Sequence, residues 1–156
     1  LGLAGDITFV GGRRDLEDIY PALDIVALTS RNEGTPLTLI EAMANARPVI
    51  STAVGGVIDL LGDPLPENSD AAFVICERGI RVPPNDAPAF AAGLGRLVAD
   101  PQLRRDIGER GLQFVTGNYS MERLLQDIRT LYADLLKRRM IPVNASAPEN
   151  RLESGV

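Results

Sequence analysis

Short apolar runs alternate with longer segments of helical period along the chain, the order expected of a parallel sheet whose strands are joined by crossover helices. Ile7, Thr8, Phe9 and Val10 form a β-rich run closed by Gly11 and Gly12. Over 15–23, Leu16, Ile19, Tyr20 and Leu23 share one helical face, with acidic residues early, where the helix dipole favours them. Residues 25–28 read as a second, buried strand, followed by a polar loop over 29–36. Thr35 before Pro36 signals a helix start by the capping and first-turn proline rules, which predicts a helix over 36–45. Residues 49–52 then make a third strand, Val54-Gly55-Gly56 a turn and residues 57–61 a short helix. After a loop rich in Pro and Asp at 62–70, residues 71–76 read as a further strand.

From Pro83 and Pro84 onward the pattern becomes helical, with helices expected over 87–99, 101–114 and 121–139. In the last of these, Leu124, Leu125, Ile128, Leu131, Tyr132, Leu135 and Leu136 form one apolar face, which calls for cover. Packing within the fold is the first reading of that face and an interface to a further domain the second. Residues 141–156 are polar, contain proline and lack periodicity, so a disordered tail is expected there, after one α/β domain over 1–140. The opening residues read like a helix end followed by a Gly turn, so the chain is expected to begin inside a domain.

Composition narrows the chemistry. The 156 residues are 45% hydrophobic and 24% charged, enough for one core. A net charge of -5 leaves no basic field for a nucleic acid backbone or an anionic bilayer. With no histidine, the chain alone cannot assemble Ser-His-Asp or Cys-His triads or the usual zinc sites. Lys137 is the only lysine and stands near the end of a charged helix, which excludes a Walker A loop. Cys76 lies in the apolar run from Phe73 and reads as a small buried thiol rather than a nucleophile. No apolar stretch of about 18 residues occurs, and the first residues do not read as a signal peptide.

The informative segment is Glu33-Gly34-Thr35-Pro36-Leu37-Thr38-Leu39-Ile40-Glu41. It opens at the carboxyl end of a strand and closes one turn into a helix, where open α/β sheets bind ligands. First-turn amides around Leu37, Thr38 and Leu39 offer an anion site without a lysine. Glu33 and Glu41 bracket it with acceptors for hydroxyl groups, and Gly34 lets the backbone approach a ligand. Hydroxyl acceptors beside phosphate donors suit a nucleoside diphosphate sugar. A carboxylate that only complements the helix dipole is the plain structural alternative.

The run from Thr29 to Gly56, with Glu33 and Glu41 separated by seven residues, then Glu41-Ala42-Met43-Ala44, Pro48-Val49 and Gly55-Gly56, resembles the donor-binding core of family 4 retaining glycosyltransferases of the two-domain GT-B fold. The similarity extends from Val10-Gly11 through Val82-Pro83-Pro84, Asp100 and Tyr119 to about Leu136. The resemblance implies the donor-side, C-terminal half of such an enzyme, a Rossmann-like parallel sheet with flanking helices, incomplete at its N-terminus. It implies that Glu33 is catalytic, contacting the donor sugar and helping to stabilise positive charge at the anomeric carbon. Glu41 is implied to bind the nucleotide ribose. The segment Gly34, Thr35, Pro36, Leu37, Thr38 and Leu39 is implied to hold sugar and diphosphate through its amides and the Thr38 hydroxyl, and Gly11 and Gly12 to lie near the base.

No metal and no cofactor is implied beyond the nucleoside diphosphate sugar as donor substrate. The implied partners are that donor, an acceptor (sugar, lipid-linked glycan or small molecule) and an N-terminal acceptor domain absent from this chain, with no nucleic acid. The implied location is cytoplasmic, with the cytoplasmic membrane face as the variant. The chain also departs from the family. The basic Arg and Lys pair early in the donor domain is absent, so the piece alone is expected to be inactive, and Asn45-Ala46-Arg47 stands where a Gly is common. The other readings are a noncatalytic nucleotide-binding or protein-interaction module on the same fold, and another nucleotide-sugar enzyme such as an epimerase or phosphorylase.

Overall fold

Apolar β-branched runs pair and the amphipathic segments cover them. The computed structural model describes residues 2–66 and 72–139. In chain order these are α1 (Leu16–Ile19) with a 3-10 turn (Tyr20–Ala22), β1 (Val26–Leu28), α2 (Leu37–Ala44), β2 (Val49–Thr52), α3 (Val57–Leu61), β3 (Val74–Cys76), β4 (Gly79–Val82), α4 (Ala87–Ala99), α5 (Pro101–Asn118) and α6 (Met121–Arg139). The sheet order is β1-β2-β4-β3. β1, β2 and β4 run parallel, with Val26 opposite Val49 and Ile50 opposite Ile80, and β3 closes the edge antiparallel.

Side chains alternate across the sheet, so the fully buried β2 feeds two core layers. Val49 packs with Leu39, Ala42 and Met43 of α2 and Val57, Leu60 and Leu61 of α3. Ile50 packs with Ile80, Val82, Phe73, Leu97 of α4 and Ile107 of α5. The expected α/β class with flanking helices is therefore the observed one, its sheet parallel over β1, β2 and β4 and antiparallel at the β3 edge.

Several elements differ from the sequence reading. Residues 7–10 form no strand: they pair with no other segment among the described residues, and Phe9 is 94% exposed. A lone extended segment has no ladder to stabilise it. The helix expected over 15–23 stops at Ile19 and tightens into the 3-10 turn, because Pro21 has no N–H for a continuing helix. The strand expected over 71–76 is confined to Val74–Cys76, and its partner β4, which the sequence reading missed, joins it to the parallel core. Helix α5 continues past 114 to Asn118. The expected tail over 141–156 lies outside the described residues.

The segment Asn45-Ala46-Arg47 keeps a left-handed turn. The Ala46 amide donates to Met43 O at 2.9 Å and the Arg47 amide to Ala42 O at 2.9 Å, the paired bonds of a Schellman helix end, with Ala46 at φ 53°. Alanine pays about 1–2 kcal/mol for that conformation, which glycine adopts freely. Ala46→Gly is therefore expected to stabilise the fold by up to about 1 kcal/mol, after the larger unfolded-state entropy of glycine is allowed for. An unchanged or lowered midpoint in urea denaturation would contradict this.

The chain divides into two units, Leu1–Ser120 and Met121–Val156. In the second, α6 carries exposed Leu124, Leu125, Ile128, Leu131, Tyr132, Leu135 and Leu136, and an Arg123–Asp127 ion pair at 3.5 Å spans one turn. Among the described residues no helix is long and apolar enough to cross a membrane.

Candidate functional site

The loop between β1 and α2 is held by the turn that follows β2. Thr52, at the buried end of β2, donates its hydroxyl to Ser30 O at 2.5 Å. The Gly56 amide donates to Gly34 O at 3.1 Å. At Gly55, whose φ is +48°, a Cβ would fall on the Glu33 carbonyl oxygen and 3.0 Å from its carbon. A Cβ at Gly56 would fall on the Gly34 carbonyl oxygen and 3.2 Å from its carbon. Two backbones therefore touch where a side chain would part them. Sequence reasoning identified the Gly-Gly turn but not its contact with Glu33 and Gly34.

Helix α2 begins one residue later than expected. Pro36 is the buried N-cap residue with extended ψ 99°, and no side chain caps the helix, so Thr35 stands exposed before the cap. The Leu39 and Ile40 amides both donate to Pro36 O, at 3.1 and 3.3 Å. Among the described residues the amides of Leu37 and Thr38 donate to no protein acceptor, which leaves them at the positive end of the dipole. The free donors are thus Leu37 and Thr38 rather than the expected set of Leu37, Thr38 and Leu39. The Leu39 side chain is fully buried and belongs to the core, while those of Leu37 and Thr38 are exposed.

Glu41 lies one turn beyond Leu37, on the same helical face. The Tyr20 hydroxyl donates to Glu41 Oε2 at 2.8 Å. Burial, reinforced by the hydrogen bond to Glu41 and its negative charge, pushes the Tyr20 phenol up to about 12, while the Thr38 hydroxyl on the same phenol pulls the other way. Glu33, at the other end of the segment, is half-buried. Sequence reasoning placed Tyr20 on an apolar face and had no signal for its polar bond.

Gly11 and Gly12 lie in an exposed irregular stretch with open space around both, and Gly11 has φ +65°. Arg13 beside them is paired with Asp15. The structure thus brings Glu33, Gly34, Leu37, Thr38 and Glu41 onto one loop and helix start, while a Cβ at Gly11 or Gly12 would meet open space. Residues 29–31 of the same loop also line a cavity of about 550 Å³ at the carboxyl ends of β1, β2 and β4, with Thr52, Asp86 and Phe90 among its other walls. Its polar residues were not singled out from sequence, because they come from three separate connections.

Chemically, the arrangement offers unpaired amides for an anion and two carboxylates for hydroxyl groups. Residues 1–100 match the family model described as glycosyl transferases group 1. A lipopolysaccharide core biosynthesis mannosyltransferase of Rhizobium leguminosarum bv. viciae is 32% identical over 135 residues, covering 86% of this chain and 35% of the relative. The sucrose-phosphate synthase structure from Thermosynechococcus elongatus superposes with a TM-score of 0.74 at 33% identity, over 87% of this chain and 32% of that one. Anabaena HepE, crystallised in complex with UDP-glucose, shares the fold with a TM-score of 0.74 at 22% identity, over 86% of this chain and 34% of its own. The chain therefore spans about a third of the length of these proteins.

Proposed function

The chain belongs to the glycosyl transferases group 1 family, and from that premise we propose that residues 1–140 form the donor-binding part of a retaining glycosyltransferase of the family 4 type. The observation that carries this reading is the pair of free amides at Leu37 and Thr38 with Glu33 on one side and Glu41 on the other. The donor is a nucleoside diphosphate sugar. The UDP-glucose complex of Anabaena HepE, which shares the fold, supports that donor class.

In this reading the amides of Leu37 and Thr38 and the dipole of α2 receive the diphosphate, a developing anion that preorganised donors stabilise. Gly34 and Thr35, exposed on the loop, let the sugar approach the backbone. Glu33 accepts from sugar hydroxyls and its charge opposes the positive charge that grows at the anomeric carbon as the bond to the diphosphate breaks. Glu41 accepts from the ribose hydroxyls. Pro36 and Leu39 contribute by fixing the start of α2 in the core rather than by touching the ligand, and Gly11 and Gly12 are assigned to the base side.

The acceptor, a sugar, a lipid-linked glycan or a small molecule, is bound in this reading by an N-terminal domain outside these residues, on the cytoplasmic side. The test is ligand-observed NMR on the protein with UDP, GDP and their sugar conjugates, comparing wild type with Glu41→Ala. Losing a charged acceptor for ribose hydroxyls is expected to weaken binding by about tenfold or more. A folded protein that binds none of these nucleotides, or an Ala variant that binds as wild type does, would favour a noncatalytic interaction module instead.

A further inference from the structure

We propose that Tyr20 is a positioning residue: its hydroxyl holds the Glu41 carboxylate in the orientation that receives the ribose, which makes Tyr20 a determinant of ribose over deoxyribose binding. The inference rests on the reading of Glu41 as the ribose acceptor. It starts from a geometric asymmetry within the carboxylate. Oε2 accepts from Tyr20 at 2.8 Å, and among the described residues no protein donor engages Oε1. A free glutamate on a helix surface samples several rotamers, and binding a diol to it must select one, at a cost in side-chain entropy. Here one oxygen is already tethered, and the other is held available for a hydroxyl.

The tether is itself rigid. Tyr20 is 7% exposed and packs in the core layer that contains Leu39, Ala42 and Met43 of α2. Its backbone is fixed in the 3-10 turn over Tyr20–Ala22, where Pro21 sets φ and the Leu23 amide donates to Tyr20 O at 3.2 Å. A buried tyrosine hydroxyl needs a polar partner, and the partner it has is a carboxylate on the face of α2 that also carries Thr38. Two segments far apart in sequence thus set one rotamer.

A purely structural role would satisfy the phenol and go no further, and the two roles differ in what they predict. Tyr20→Phe keeps the ring volume and removes only the hydroxyl. It is expected to weaken UDP binding about fivefold, the loss corresponding to one hydrogen bond, and to leave binding of 2′-deoxy-UDP nearly unchanged. In a Glu41→Ala background the same substitution is expected to have no further effect on UDP, because the group it positions is gone. Isothermal titration of the four proteins with both nucleotides, and with GDP and 2′-deoxy-GDP if GDP is the nucleotide bound, reads these differences, with a melting curve for each variant. If the Phe variant does not fold, a fluorinated tyrosine at position 20, which changes donor strength and keeps volume, serves the same comparison.

A Phe variant that binds UDP as wild type does, one that loses ribose and deoxyribose nucleotides equally, or one whose loss persists without Glu41 would overturn the positioning role while leaving the ribose reading of Glu41 intact. Wild-type protein that binds neither nucleotide, or Glu41→Ala that binds as wild type does, would instead remove the ribose reading, and the proposal with it.

Discussion

Gly55→Ala is expected to abolish tight binding of the nucleotide sugar although Gly55 contributes no side chain to the site. The position is strained twice over for alanine. Its φ of +48° is left-handed, which costs an L-residue about 1–2 kcal/mol. The new Cβ would also overlap the Glu33 carbonyl oxygen, a backbone atom that no rotamer change can move aside. Over-packing of this kind adds about 1–3 kcal/mol unless the loop shifts. Either response is damaging. If the fold absorbs the overlap, it loses about 2–5 kcal/mol of stability. If the loop gives way, Glu33 and Gly34 move off the α2 start, and the sugar of the proposed donor loses its carboxylate acceptor. Gly95→Ala is the control, since a Cβ there meets open space within α4, and it is expected to stabilise by about 0.5–1 kcal/mol. Melting curves and UDP-glucose titration of both variants check the contrast. Unchanged melting and unchanged affinity for Gly55→Ala would show that the turn after β2 does not brace the Glu33 loop.

The parts of this architecture that were legible in the sequence are those encoded within one strand-helix unit. Val26–Leu28 is a continuous apolar run and Val49–Thr52 is β-branched at all but Ser51, and the segment between them carries its helix signal, its proline and both carboxylates in a single stretch. That is why Glu33, Glu41 and the first amides of α2 were identifiable together. β4 was not, because Gly79 and Arg81 interrupt its apolar pattern and only Ile80 and Val82 mark it. Its strand character comes from pairing with β2 and β3, which is a tertiary property. The converse holds at 7–10, where strong β formers find no partner among the described residues and stay exposed. Within the site, the missed features share the same cause. Gly56 meets Gly34, and Tyr20 meets Glu41, across intervening elements, so neither contact leaves a periodic trace. Ala46 is the instructive exception: the departure from Gly was visible in sequence, yet helix-end hydrogen bonds from the Ala46 and Arg47 amides hold the left-handed turn without it.

Glu33→Gln is expected to separate sugar recognition from nucleotide recognition. The two carboxylates sit at opposite ends of the segment, Glu33 in the loop braced by Gly55 and Glu41 on the helix face tethered by Tyr20. If Glu33 serves the sugar and Glu41 the ribose, a bare nucleotide does not sense the first. Glu33→Gln should therefore bind UDP as wild type does and bind UDP-glucose, or the conjugate that the wild type prefers, about tenfold more weakly, because charged acceptors make the stronger hydrogen bonds to hydroxyls. Glu41→Ala should weaken both ligands alike. The chemical step should suffer more than binding. Glutamine keeps one carbonyl acceptor and the side-chain volume but removes the negative charge, and losing one preorganised electrostatic group costs about 10²–10³ in turnover. In the complete enzyme the turnover loss of Glu33→Gln should exceed its loss of donor affinity, the mark of an interaction realised in the transition state. Equal losses for UDP and its sugar conjugate would place Glu33 against the nucleotide, and the division of labour between the two glutamates would have to be reversed.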